Sequence, residues 1–251
     1  MLSVERLTKR YGRRTVVDDV SFTVAPGRVT GFVGPNGAGK STTMRMMLAL
    51  TTATRGRVRF DGRPYRDLTD PLRHVGAVLD ADCLHPGRTA RGHLRWMAAG
   101  NDIPAGRVEH TLEIVGLASA ADRRVGTFSL GMRRRLCIAA ALLGDPAVLI
   151  LDEPMNGLDP DGMRWFRRLL LDLAGEGRTV LLSSHLIGEL ARSADHLLVI
   201  GGGRLLADAP LREIAAAGPG SSGDLVESLE DAYEALVGAT HDLVPQLPGA
   251  R

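Results

Sequence analysis

Gly34-Pro35-Asn36-Gly37-Ala38-Gly39-Lys40-Ser41 decides how the rest of the chain is read. The stretch fits G-x-x-x-x-G-K-[ST], a loop whose glycines let the backbone fold tightly so that its N–H groups point at a polyphosphate. Lys40 is placed to reach the β- and γ-phosphates, and the Ser41 hydroxyl to ligate Mg²⁺. Upstream, Val29-Thr30-Gly31-Phe32-Val33 reads as a buried strand; downstream, Thr42-Thr43-Met44-Arg45-Met46-Met47-Leu48 reads as a helix. This context makes an anion site, because a helix N-terminus adds its dipole to the loop amides. From average residue frequencies, the pattern arises by chance in roughly one chain in a hundred of this length. Of the 31 Lys+Arg residues only Lys9 and Lys40 are lysines. In a chain that otherwise uses arginine, a lysine here points to the need for a compact point charge.

The totals fit a globular protein. The 251 residues are 44% hydrophobic and 24% charged, enough for one large domain or one domain with lobes. A net charge of +2 argues against a nucleic-acid partner, and 4% aromatics leave little for a base-stacking surface. Cys83 and Cys137 show no metal-ligand spacing and read as thiols of a reducing compartment. The first residues lack the basic-then-apolar pattern of a secretion signal. No apolar run approaches the roughly 18–20 residues that span a bilayer, so a membrane process would need another protein to cross the membrane.

Outward from the loop, residues 2–7 and 15–24 alternate as strands, with Leu2, Val4 and Leu7, then Val16, Val20, Phe22 and Val24, on the buried side. Residues 56–62 form a further strand ending in a hairpin-like Asp61-Gly62. Tyr11, between the first two runs, lies one strand pair ahead of the loop, where an aromatic could stack on a purine. Val75–Leu79 is a short apolar strand followed by Asp80. Residues 89–99, 106–115 and 131–143 are helix candidates separated by Gly, Pro and Asp, which suggests an inserted helical lobe. Arg133-Arg134-Arg135 reads as a solvated helix face. Ala147–Leu151 is a buried strand ending in Asp152-Glu153, and a carboxylate at the C-terminal end of a parallel strand faces the ligand crevice of an open α/β sheet. An amphipathic helix (162–175), a buried strand (179–183) followed by His185, a short helix (187–193) and two strands (196–200 and 204–207) come next. Gly218–Gly223 is a linker by composition, and Leu225, Val226, Leu229, Ala232, Tyr233 and Leu236 repeat at helical spacing, as expected of a helix docked on the main body.

A phosphate loop, a Ser-x-Gly turn at Phe128-Ser129-Leu130-Gly131-Met132, a strand ending Asp-Glu and a strand ending in His occur in that order. In order and spacing they resemble the ATP-binding-cassette (ABC) ATPases over residues 2 to about 212. The resemblance is closest in Val33–Thr43 and in Leu149–Pro160. It implies an α/β P-loop NTPase (RecA-like) core with an N-terminal antiparallel β region and an inserted α-helical subdomain at about 84–146. The ATPase domain would span 1–212, with a linker, a short amphipathic helix and a loose tail over 213–251. It implies ATP and Mg²⁺ as cofactors. Tyr11 would stack on adenine. Gly34 to Thr42, with Pro35, Asn36, Gly37, Ala38, Gly39, Lys40 and Ser41, would hold the phosphates. Asp152 would contact Mg²⁺, Glu153 would act as general base on the attacking water, and His185 would bond the γ-phosphate. Ser129 and Gly131 would complete the site of a second chain in a head-to-tail dimer, with Asp159 connecting the two sites. The family commonly has a glutamine where Asp80 stands; the only glutamine here is Gln246, so Asp80 is the candidate metal-side residue. In the signature turn, Leu130 replaces a glycine and Met132 a glutamine.

Phe128–Leu136, His85–Arg91 and Ser228–Tyr233 resemble the drug- and peptide-antibiotic exporter branch. Its members have a separate membrane permease, implying a homodimeric or heterodimeric ATPase held at the cytoplasmic face of the cell membrane by that partner. Two other readings stay open. One is a soluble cassette ATPase acting on ribosomes or DNA, and the other is a non-catalytic ATP-binding subunit.

Overall fold

In a computed structural model, residues 1–79, 84–185, 187–218 and 224–241 are described. Asp80, the linker residues 219–223 and the tail beyond 241 therefore lie outside the described residues.

The first two strands, β1 (Leu2–Tyr11) and β2 (Arg14–Val24), pair with β4 (Arg55–Phe60) in an antiparallel sheet of order β2-β1-β4. A second, larger sheet has β5 (Val75–Val78), β6 (Val148–Leu151), β7 (Thr179–Ser184), β3 (Arg28–Val33) and β8 (His196–Gly201) in parallel, with β9 (Arg204–Pro210) antiparallel at its edge. The inner strands are short apolar runs covered on both faces, as parallel strands usually are. Side chains alternate between two cores. Val148, Ile150, Leu181, Leu198 and Ile200 meet the small sheet, whereas Leu149, Leu151, Val180, Leu182 and Val199 meet the helices behind.

Helix α1 (Lys40–Met47) is wedged between the two sheets, with Met44 and Met47 fully buried among Leu7, Phe22 and Phe32. Behind the large sheet lie α6 (Pro160–Gly175), α7 (Ile187–Leu190), α8 (Leu211–Ala216) and α9 (Leu225–His241). Phe166 and Leu170 of α6 are fully buried, each worth roughly 1.5–3 kcal/mol of apolar transfer. Leu229 and Ala232 of α9 join the same core, so this helix docks on the body beside α7 and α8. Residue 212, the expected end of the ATPase domain, lies inside α8. The one-turn helix α2 (Pro71–His74) leads into β5. The helical lobe consists of α3 (Ala90–Ala99), α4 (Gly106–Ile114) and α5 (Leu130–Leu142), packed through Leu94, Leu112 and Leu136.

Two details differ from expectation. In β2 the buried side chains are Val17, Val20, Phe22 and Val24, with Val16 only partly covered. The cause lies in β2: after a β1 bulge at Arg6 (φ 47°) steps the pairing from Val4 opposite Phe22 to Leu7 opposite Val20, a bulge at Asp19 (φ 53°) sets Lys9 opposite Val17, and a third irregularity sets Arg10 opposite Thr15 and leaves Val16 unmatched. A single inserted residue reverses which side chains face inward. The arginine run is not a solvated face. Arg134 is buried and donates from Nε to the Asn156 carbonyl at 3.2 Å, Arg133 bonds the Phe128 carbonyl, and Arg135 bonds the Val115 carbonyl while lying over the Trp165 ring. Their heads satisfy carbonyls at the ends of neighbouring segments, which periodicity alone does not show.

Candidate nucleotide site

The loop after β3 is shaped by its neighbours. A Cβ on Gly34 would fall 2.2 Å from the Ile200 carbonyl oxygen, so only glycine lets the chain pass β8 at this point. Gly39 takes φ 107° as the residue that caps α1, and no side chain caps the helix. The first-turn N–H groups of α1 thus remain directed at the loop, the arrangement that binds anions. Lys40 is 7% exposed; its Nζ donates to the Gly34 carbonyl at 2.6 Å and to the Pro35 carbonyl at 3.3 Å. Burial pushes the Lys40 ammonium below the ordinary lysine pKa, opposed by the nearby Glu153 and Asp152 carboxylates.

A cleft of about 390 Å³ opens over this loop. Tyr11, Asn36, Gly37, Ala38, Gly39, Lys40, Ser41, Thr42, Asp152 and Glu153 all line it. Gly34 and Pro35 are not among the lining residues; their carbonyls hold the Lys40 ammonium that is. Tyr11 is the last residue of β1, half-exposed, with the Lys9 ammonium 4.7 Å from its ring centre. Arg14 and Val16 line the cleft too, neither expected there: Arg14 opens β2, and Val16, expected on the buried side, is turned outward beyond the Asp19 bulge.

The opposite wall is the end of β6 and β7. Leu151 pairs with Leu182, which sets Ser183 against the Asp152-Glu153 turn. Asp152 is 9% exposed; its N–H donates to the Val78 carbonyl at 2.7 Å, and its Oδ1 accepts the Ser183 hydroxyl at 2.5 Å. Glu153 sits at φ 48°, a left-handed conformation that costs a non-glycine residue about 1–3 kcal/mol. Its N–H donates to Ser183 Oγ at 2.9 Å, and its Oε2 is 2.8 Å from His185 Nδ1. No group of three or more His, Cys, Asp or Glu side chains among the described residues could cage a metal. The Asp152 carboxylate beside the loop suits a cation such as Mg²⁺, which takes one or two protein oxygens and completes its shell with phosphate and water.

Ser129, Gly131 and Asp159 are not among the residues lining this cleft. Ser129 is exposed and caps α5, its Oγ accepting the Met132 N–H at 3.2 Å. Asp159 caps α6 by accepting the Gly162 N–H at 2.7 Å. Gly131 and the half-exposed Leu130 lie against Gly157: a Cβ on Gly157 would be 2.5 Å from a Leu130 methyl. Ser183 was missed as a site residue; the signal for it was a hydroxyl inside an apolar strand two residues before His185.

Comparison with known proteins decides the family. Residues 17–156 match the family described as ABC transporter. The chain belongs to the ABC transporter ATP-binding family. It is 42% identical over 207 residues to the bacitracin transport ATP-binding protein BcrA of Bacillus licheniformis, covering 81% of this chain and 68% of that protein. It is 36% identical over 208 residues to the lantibiotic transport ATP-binding protein SrtF of Streptococcus pyogenes, covering 82% and 89%. Among solved structures, an ATP-binding subunit of an ABC transporter superposes with a TM-score of 0.81 at 27% identity, over 92% of this chain and 99% of that one. The dimeric bacterial ABC cassette MJ0796 superposes with a TM-score of 0.77 at 25% identity, over 84% and 99%. The expected fold, the ABC ATPase activity and the likeness to the drug- and peptide-antibiotic exporter branch are thereby borne out. The chain is an ATP-binding, ATP-hydrolysing subunit of a transporter of this family, whose ATPase subunits dimerise and work with membrane permeases.

Proposed function

We propose that this ATPase powers the export of a drug or peptide antibiotic through a separate permease, docked to it at the cytoplasmic face of the cell membrane. The cargo class follows the likeness to the bacitracin and lantibiotic transport proteins. A separate permease is supported by the finding that no helix among the described residues is long and apolar enough to cross a membrane. Tyr11 stacks on the adenine, and the Asn36–Thr42 loop with Lys40 holds the triphosphate. Ser41 Oγ and Asp152 would hold Mg²⁺, which would supply charge neutralisation there. Glu153 takes a proton from water; the water oxygen bonds to the γ-phosphorus as the bond from that phosphorus to the β,γ-bridging oxygen breaks, and ADP leaves with the electron pair. His185 holds the Glu153 carboxylate and bonds the γ-phosphate.

The observation that carries this reading is the single cleft lined by Tyr11, the loop, Asp152 and Glu153, with Glu153 gripped by His185. Ser129 and Gly131 serve the cleft of a second copy in a head-to-tail homodimer, and Asp159 links the two sites. Glu153→Gln, tested on the purified chain, should lower kcat by about 10²–10⁴-fold while ATP still binds. Hydrolysis at the wild-type rate would refute Glu153 as the base.

A further inference from the structure

We infer that Ser183 is a positioning residue for the hydrolytic step: its one hydroxyl fixes the backbone of Glu153 and the carboxylate of Asp152 together. The inference rests on the reading of Glu153 as the base. Ser183 is fully buried at the C-terminal end of β7, one residue past the last β6–β7 pair. Its Oγ donates to Asp152 Oδ1 at 2.5 Å and accepts the Glu153 N–H at 2.9 Å. A hydroxyl can do both at once because it carries one donor and two acceptor sites; alanine can do neither, and a thiol does both weakly.

Both ends of this bridge matter for chemistry. Glu153 occupies the left-handed region at φ 48°, where its backbone does not stay without a restraint. The Ser183 bond supplies that restraint at the amide, and His185, two residues further along, supplies a second at the carboxylate. The tip of β7 therefore grips the Asp-Glu turn at three atoms: Asp152 Oδ1, Glu153 N and Glu153 Oε2. Ser183 is not among the residues that line the cleft, and it makes no hydrogen bond to the phosphate loop. Its loss should consequently reach the orientation of the base and of the metal-side carboxylate, and leave the groups that bind ATP in place. That predicts a defect in kcat with little change in ATP affinity, the pattern of an interaction that counts mainly in the transition state.

The test uses the full chain and three variants, with ATPase kinetics, the Kd for a fluorescent ATP analogue with Mg²⁺, and thermal melting. Ser183→Ala should lower kcat about 10–100-fold, the usual cost of removing a partner that orients a site residue, with Kd within about threefold of wild type. Ser183→Cys fills the same space with a weak hydrogen-bonding group; it should follow the alanine variant in kcat while melting like wild type. Ser183→Thr keeps the hydroxyl and should stay within about threefold of wild type in kcat. The inference is overturned if the alanine and cysteine variants both hydrolyse within twofold of wild type, if cysteine restores activity as well as threonine, or if Kd rises in step with the fall in kcat. Glu153→Gln measured alongside separates the two ideas. An inactive Glu153→Gln with a normal Ser183→Ala removes only the role of Ser183, whereas an active Glu153→Gln removes the base itself.

Discussion

The phosphate cleft and the Ser129–Gly131 turn differ in how their polar groups are held. In the cleft, Lys40 is buried on loop carbonyls, and the Asp152 and Glu153 that line it are held by Ser183 and His185 behind them at 2.9 Å or less. The signature turn is exposed, and among the described residues the Ser129 hydroxyl bonds the helix that it caps. One region is an organised site within a single chain; the other is a presented surface. A helix N-terminus with an exposed capping hydroxyl suits a γ-phosphate brought by another molecule of the protein. The two are tied mechanically by Arg134, which runs from the signature helix to the Asn156 carbonyl just beyond the Asp-Glu turn.

Ways to break this contrast run from large effects to small. Glu153→Gln carries the largest expected loss, in kcat alone, as set out above. Lys40→Ala should weaken ATP binding by about 2–5 kcal/mol, the cost of losing one partner of a buried charge pair, and should abolish ATP-driven dimer closure. Closure that persists with ATP, followed by light scattering or size-exclusion chromatography, would break the account. Arg134→Ala removes a buried charged donor from the Asn156 carbonyl and should cost about 1–3 kcal/mol in chemical denaturation. It should lower ATPase activity of the dimer more than the ATP affinity of the chain; an equal fall in both would mean that the two regions are not separable. Ser129→Ala should cost only about 1 kcal/mol as a lost helix cap, read by the same denaturation. If it leaves dimeric ATPase activity unchanged, Ser129 is a cap and nothing more.

The elements were legible where one residue type had one role. The loop glycines, the apolar strands β6 and β7, and the Asp-Glu turn at a strand end follow from local chemistry, so Gly34–Thr42, Asp152 and Glu153 were named before the fold was known. What escaped depended on contacts distant in sequence. Val16 reads as a core residue until the Asp19 bulge is seen. Arg134 reads as solvated until Asn156 is folded against it, 22 residues away. Ser183 reads as a strand residue until the β6–β7 register sets it beside Asp152, 31 residues away. Tyr11 could be placed near the loop by order along the chain, although its strand and its Lys9 neighbour became visible only in three dimensions.

The central claim is that the cleft of one chain is completed by Ser129 and Gly131 of another, and mixing two inactive variants tests it most directly. Lys40→Ala destroys the cleft and keeps the signature turn; Ser129→Arg does the reverse. Each alone should be inactive. In a head-to-tail dimer of the two, one composite site has both halves intact, so mixing equal amounts should restore activity, up to about a quarter of wild type for random pairing and independent sites. A mixture as inactive as its components, or a Ser129→Arg chain that hydrolyses ATP by itself, would contradict the account.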